Sequence, residues 1–258
     1  MVISRLAVTA RWHILLRSAE IHISFGESLR ITFAGLFASN FLPTTIGGDV
    51  VRLGGAIRLG FNRAVSLASL VVDRLVGMAG MALALPLLIP ALGQADLSVQ
   101  AGASGLMLAV AAPARPHWLR RLVLKLRQGI AGLFEALSIW LHHPASLLAA
   151  LACTLVHMLC LFGQIALLLG GMGEPIPFWL IAGLWSATYF ITLLPISING
   201  MGLQELATNL FYGTLGGISD PVSLTLALLL RVLQMLVSLP GALFVPEMLA
   251  GAKDKNLP

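Results

Sequence analysis

The sequence predicts an all-α integral membrane protein, a helical bundle with two broken re-entrant hairpins in an inverted repeat. Three observations carry that expectation. Hydrophobic residues make up 58% of the chain and charged residues only 10%, with a mean hydropathy of +0.92, far from the roughly 25% charged content of a soluble domain. Several apolar stretches approach or exceed the roughly 20 residues that cross a bilayer as a helix. One pattern then occurs twice: an apolar stretch ending in Leu-Pro, a glycine-containing loop ending in an acid, and an apolar helix with an arginine inside it.

In the first copy Leu42-Pro43 leads through Thr44, Thr45, Ile46, Gly47 and Gly48 to Asp49, and the next apolar segment carries Asp73 and Arg74. In the second, Leu194-Pro195 leads through Ile196, Ser197, Ile198, Asn199, Gly200, Met201 and Gly202 to Glu205, and the next apolar segment carries Arg231. The acid precedes the arginine by 25 residues in one copy and 26 in the other, which reads as an internal repeat.

Taken in order, residues 1–30 mix Trp12, Ile14, Leu15 and Leu16 with Arg5, Arg11, Arg17, Glu20, Glu27 and Arg30, the composition of an interfacial helix on the cytoplasmic side. Residues 31–48 are apolar but break at Pro43 and Gly47-Gly48, as expected of a re-entrant segment. Arg52, Arg58 and Arg63 follow on a short glycine-rich stretch that the positive-inside tendency places in the cytoplasm. Residues 64–92 are long enough to span, a turn falls at Gly93-Gln94-Ala95-Asp96, and residues 97–112 return. From Pro113 to His143, Arg115, Arg120, Arg121, Lys125 and Arg127 share a helical period with Leu119, Leu122, Leu126, Ile130 and Leu133, predicting a basic amphipathic helix on the cytoplasmic surface. Residues 144–170 span outward to a turn at Gly171 to Pro177. Residues 178–216 form the second broken hairpin, and residues 222–250 run inward with a kink near Pro240-Gly241. The chain thus reads as one membrane domain over residues 1–258, with repeat 1 at about 31–92, the basic segment at about 113–143 and repeat 2 at about 178–250. The first hairpin enters from the cytoplasm and the second from outside, so the repeats are inverted.

Composition also excludes classes. Cys153 and Cys160 lie in one apolar segment, which supplies neither a disulfide framework nor a zinc knuckle. The net charge of +5 reports orientation and contact with anionic headgroups, not nucleic acid. No phosphate-binding loop of the Gly-x-x-x-x-Gly-Lys-Ser/Thr type and no Gly-x-Ser-x-Gly elbow is present, so neither a nucleotide cofactor nor an enzyme is expected.

Broken helices meeting near the bilayer centre are tolerable where they line a cavity or hold a ligand. Half-helix N-termini present unpaired N–H groups to an anion, and arginine forks suit phosphate. The expected substrate-binding set is therefore Asp49, Arg52, Asp73, Arg74, Asn199, Glu205 and Arg231, with Pro43, Gly47, Gly48, Pro195, Gly200 and Gly202 shaping the re-entrant loops. In this set Arg74 and Arg231, with Arg52, hold a phosphate, while Asp49 and Glu205 pair with them, or with a cationic headgroup, and couple movement to protons. The competing reading is that the same charges are ion pairs holding hairpins to spanning helices. Cys153, His157, Cys160 and Gln164 fall on one helical face, which reads as packing rather than a metal site. His142-His143 before Pro144 reads as a helix end, Trp118, Trp140 and Trp179 as interfacial anchors, and Gly183 with Ala187 as a close-packing pair.

At Asn40 to Arg52, at Asp73 to Gly77 and at Leu194 to Glu205 the sequence resembles the flippase-like transmembrane family related to the membrane flippase region of lysylphosphatidylglycerol synthase. The resemblance runs from about Arg11 to Ala250. It implies a plasma-membrane protein, multi-pass in the bacterial inner membrane, that moves an anionic or amphipathic lipid or lipid-linked headgroup across the bilayer. It implies no aminoacyl transfer, which belongs to a separate soluble domain. Relatives carry further spans before Arg11-Trp12, so the chain is expected to be an N-terminally shortened member. The alternative function is a non-transporting membrane subunit that recruits an envelope-lipid biosynthetic enzyme through its basic segment. The expected partners are anionic membrane lipids and that enzyme.

Overall fold

Local chemistry sets where the helices begin. The computed structural model describes residues 1–42, 47–93, 138–140, 142–193 and 201–246, and every regular element among them is helical. The helix α1 spans Val2–Ser18. Ser24 and Glu27 form a capping box at the start of α2, Phe25–Ser39, each satisfying a backbone N–H of the other. The helix α3 covers Gly47–Arg58. Asn62 Oδ1 accepts from Ala64 N–H at 2.8 Å and Val65 N–H at 3.3 Å to open α4, Arg63–Ala84. The chain tightens into a 3₁₀ turn at Leu85–Leu88 and a last turn α5, Ile89–Leu92, around Pro86 and Pro90. Pro144 opens the longest helix, α6, Pro144–Gly171, where its missing N–H costs nothing. The helices α7 (Phe178–Thr192), α8 (Leu203–Thr214) and α9 (Asp220–Ser238) complete the set. After α9 a 3₁₀ segment at Leu239–Leu243 stands where Pro240 predicts a kink.

Among the described residues three stretches are long and apolar enough to cross a membrane: Arg63–Leu92, Pro144–Gly171 and Asp220–Leu243. Their outward faces carry leucines with nothing to bury against, such as Leu83 at 67% exposure and Leu167 at 79%, a surface suited to lipid. This is an all-α integral membrane protein.

Lipid tails are as apolar as leucine, so shape-fitting between helices does the holding. A Cβ on Gly80 would sit 2.5 Å from Thr154 Cγ2, and one on Gly183 would sit 2.9 Å from the backbone N of Leu88. Those glycines let α4 meet α6 and let α7 press on the 3₁₀ turn after α4. The main core gathers Met81, Phe162, Ile165, Ile181, Trp185, Phe211 and Tyr212 from α4 and α6 through α8. A second cluster under α1 holds Trp12, Leu16, Ile23, Ile31 and Leu70.

The structure differs from expectation in three places. The helix α1 is no surface helix: it packs along α6 more extensively than any other two elements pack, and Trp12, Leu15 and Leu16 are fully buried. Its arginines do not force it outward, because Arg11 finds an acid inside. The first hairpin is also wider than residues 31–48. It pairs α2 with α3, and Gly47-Gly48 form the first turn of α3 instead of the break. Trp140 is no interfacial anchor; it is buried, and its Nε1 donates to Leu15 O at 3.0 Å. The turn at residues 94–96, the return at 97–112, nearly all of the basic segment at 113–143, Trp118, Pro43, Pro195, Asn199, Gly200 and the chain beyond Pro246 lie outside the described residues.

Candidate anion-binding cavity

The charged residues of the first copy converge because three helices bring them to one place. The helix α3 starts at Gly47, which puts Asp49 in its first turn and Arg52 one turn on. Gly35 and Gly48 let α3 lie against α2, since a Cβ on either would come 2.7 Å from the other's carbonyl oxygen. Asp73 and Arg74 are consecutive on α4, so they point about 100° apart. One turns toward α1, the other toward the start of α3.

The result is an unbroken chain of five charges. Arg11 Nε donates to Asp73 Oδ1 at 2.7 Å. Arg52 Nη1 donates to Asp73 Oδ2 and to Asp49 Oδ1, both at 3.1 Å. Arg74 Nε donates to Asp49 Oδ2. Asp73 is 2% exposed, and Arg11 and Arg52 are nearly as buried. Burying any one of these charges alone would cost several kcal/mol, roughly, and the chain exists because each is paired. Arg52 is further held with its guanidinium carbon 4.4 Å from the centre of the Trp12 ring, a cation–π contact. Its Nε and Nη2 are buried and carry no hydrogen bond among the described residues.

These groups line a cavity of about 200 Å³, which also takes in Arg5, Thr154, His157 and Tyr189. Arg11 Nη1 donates to Thr154 Oγ1 at 3.2 Å, and Ser4 Oγ shares a hydrogen bond of 2.7 Å with His157 Nδ1. Four arginines face two aspartates around the cavity, a formal surplus of two positive charges. Arg74 keeps 32% of its side chain exposed, so it is the guanidinium an incoming anion meets with least rearrangement. Cys153 and Cys160 are free thiols on α6, and no metal-binding cluster occurs among the described residues.

The second copy is simpler. Arg231 Nε donates to Glu205 Oε1 at 2.9 Å, while Glu205 Oε2 accepts from Gly202 N–H at 2.8 Å. Gly202 caps α8 with φ +80°, a left-handed conformation that glycine adopts without penalty. Thr208 stands where the first copy has Arg52, and Leu230 where it has Asp73. Neither Glu205 nor Arg231 lines the cavity.

Of the expected set, the structure therefore brings Asp49, Arg52, Asp73 and Arg74 together and keeps Glu205 with Arg231 as a separate pair. Sequence reasoning missed Arg11, Arg5, Thr154, His157 and Tyr189. One signal could have found Arg11: if Arg74 satisfies Asp49, the neighbouring Asp73 faces elsewhere and needs another cation.

A comparison with family models matches residues 1–241 to the lysylphosphatidylglycerol synthase TM region. The chain belongs to that family. No curated protein and no solved structure matches it. In this lysylphosphatidylglycerol synthase TM region protein the matched stretch takes in both acid–arginine pairs and the whole cavity. Family and apolar helices together make it a membrane protein of lipid metabolism or transport.

Proposed function

We propose that the protein is a flippase that moves an anionic or amphipathic lipid, or a lipid-linked headgroup, across the plasma membrane, with the arginine-rich cavity as its headgroup site. The observation that carries this reading is the charge surplus around a half-open cavity set between the helices. Ion pairs that served only to hold helices together would balance, and these do not. In the membrane interior each uncompensated arginine costs about 3 kcal/mol on insertion scales, so the surplus favours an anion.

The mechanism follows from which pairs are anchored. Asp73, with two arginine partners and almost no exposure, stays in place and fixes Arg11 and Arg52. Asp49 holds the more exposed Arg74. A headgroup phosphate competes with Asp49 for the Arg74 fork and takes up the buried Nε and Nη2 of Arg52, unpartnered among the described residues, in charge-assisted hydrogen bonds. The carboxylate so released is then free to take a proton or a cationic substituent of the headgroup. Two hairpins of opposite orientation, α2 with α3 and α7 with α8, would open the cavity alternately to the two leaflets.

The test is lipid movement in vesicles of phosphatidylcholine containing a fluorescent anionic lipid, with the reporter quenched from outside. Arg74→Ala, matched to wild type in thermal unfolding, should slow movement at least about tenfold, the loss of one charged hydrogen bond. An unchanged rate in the folded variant would leave the ion pairs as structural clamps and end this reading.

A further inference from the structure

A second cavity, of about 140 Å³, lies between α1, α2 and α9 and is lined by Arg5, Leu36, Ser39, Asn40, Gln234 and Ser238. Arg5 lines the first cavity as well. We propose that this second cavity is another station for a phosphate anion, and that Arg5 is the residue through which the two stations communicate. The inference rests on the reading above that the ligand is an anionic headgroup.

Three features of the lining support it. It contains one cation and no acid, whereas every other arginine of the first cavity is paired with an aspartate. Among the described residues Arg5 has no ion-pair partner, so its five N–H groups are available to an anion. The rest of the polar lining is neutral, and the hydrogens of its two hydroxyls are taken by backbone carbonyls. Asn40 Nδ2 donates to Ser238 Oγ at 2.8 Å, and Ser238 and Ser39 direct their own hydroxyl hydrogens to Met235 O and Leu36 O, both at 2.7 Å. The Gln234 amide, which faces the same cavity, adds two more N–H donors.

Geometry gives the pair of stations a direction. Arg5 and Arg11 lie on one helix, about 9 Å apart along its axis at 1.5 Å per residue. Asn40 sits just before the break of the first hairpin and Ser238 just before the 3₁₀ segment that ends α9. An anion held by Arg11 and Arg74 therefore has Arg5 as its next cation, on a path that leads toward the C-terminal ends of α2 and α9. Two stations of moderate strength let an anion enter and leave, where one strong site would trap it.

The experiment is calorimetric titration of inorganic phosphate into the full chain in phosphatidylcholine nanodiscs. Wild type should take up two phosphates. Gln234→Leu should take up one, and Gln234→Glu, which places an anion in the station, should show the same loss. Arg5→Gln should weaken both phosphates about tenfold while Arg5→Lys holds them near wild type, since the effect is one of charge. Any result in which Gln234→Leu leaves the number of bound phosphates unchanged overturns the inference. Failure of the first station reads differently, because then Arg74→Gln alone leaves the count unchanged. Adding phosphatidic acid to the nanodiscs should suppress phosphate uptake at both stations. No suppression would overturn a lipid source and leave free phosphate as the ligand.

Discussion

Arg11 and Asp73, 62 positions apart in sequence, meet at 2.7 Å in the interior of the protein. This contact ties α1 to α4 and turns an arginine that would expel its helix from the bundle into one that holds it there. Asp73 serves two arginines at once, so its removal strands Arg11 without an acid and leaves Arg52 with Asp49 alone. Asp73→Asn should destabilise the protein by about 3–5 kcal/mol, as breaking buried ion pairs does. Replacing Arg11 and Asp73 together by leucines should cost less than Asp73→Asn alone, because the stranded charge on α1 goes too. Unfolding by titration with sodium dodecyl sulfate in mixed micelles would measure both.

Close helix crossings make a second prediction. A Cβ on Gly48 would lie 2.7 Å from Gly35 O and 3.2 Å from Ser39 Cβ, whereas one on Gly54, in the same helix, meets nothing within 4 Å. Gly48→Ala should therefore cost about 1–3 kcal/mol through overpacking. Gly54→Ala should instead stabilise α3 by up to about 1 kcal/mol through helix propensity. The same unfolding titration gives both signs, and equal effects at the two sites would contradict the packing argument.

The span-length helices and both acid–arginine pairs were legible because each is written locally: apolar length, and acids and arginines at nearly equal spacing. What was not legible was α1. Its arginines, evenly scattered among apolar residues, give the same composition whether the helix lies on a surface or packs inside. The difference is made by Asp73, which is remote in sequence. Trp140 misled for a similar reason, since an indole N–H satisfied by Leu15 O looks in sequence like one satisfied at the membrane surface. The cavity is legible only in part: four of its charges come from the repeat, but Arg5 and Arg11 do not.

The capping box gives a pH dependence. Ser24 donates to Glu27 Oε2 from its hydroxyl at 2.7 Å and from its backbone N–H at 2.8 Å. Both bonds favour the charged form, so Glu27 lies below the ordinary carboxylate range. A depressed folded value means that the contribution is present above about pH 4.3, the unperturbed value, and is lost as pH falls through the folded one. Glu27→Gln should therefore be less stable than wild type at neutral pH, and the gap should narrow in acid, below the depressed folded value, where wild type is itself protonated. Thermal unfolding of the two proteins at neutral pH and in acid tests this, and a gap that widens on acidification would show that the carboxylate is not stabilising α2.

Exchanging the partners of the two acid–arginine pairs separates their roles. Glu205 and Arg231 pair with each other, and among the described residues the carboxylate's other bond, from Gly202 N–H, contributes about 1 kcal/mol or less at a partly exposed helix start. The exchange Glu205→Arg with Arg231→Glu should therefore recover most of the stability that either single change loses. Asp49 is different, because its other oxygen accepts from Arg52, itself shared with Asp73. In the exchange Asp49→Arg with Arg74→Asp the new arginine faces Arg52 across that contact. Two guanidiniums then compete for Asp73, and the double variant should be no more stable than the worse single one. Double-mutant cycles on the two pairs would show strong recovery in the second copy and none in the first. Equal recovery in both would mean that Arg52 does not link the first pair to Asp73, and the five-membered charge chain would reduce to separate pairs.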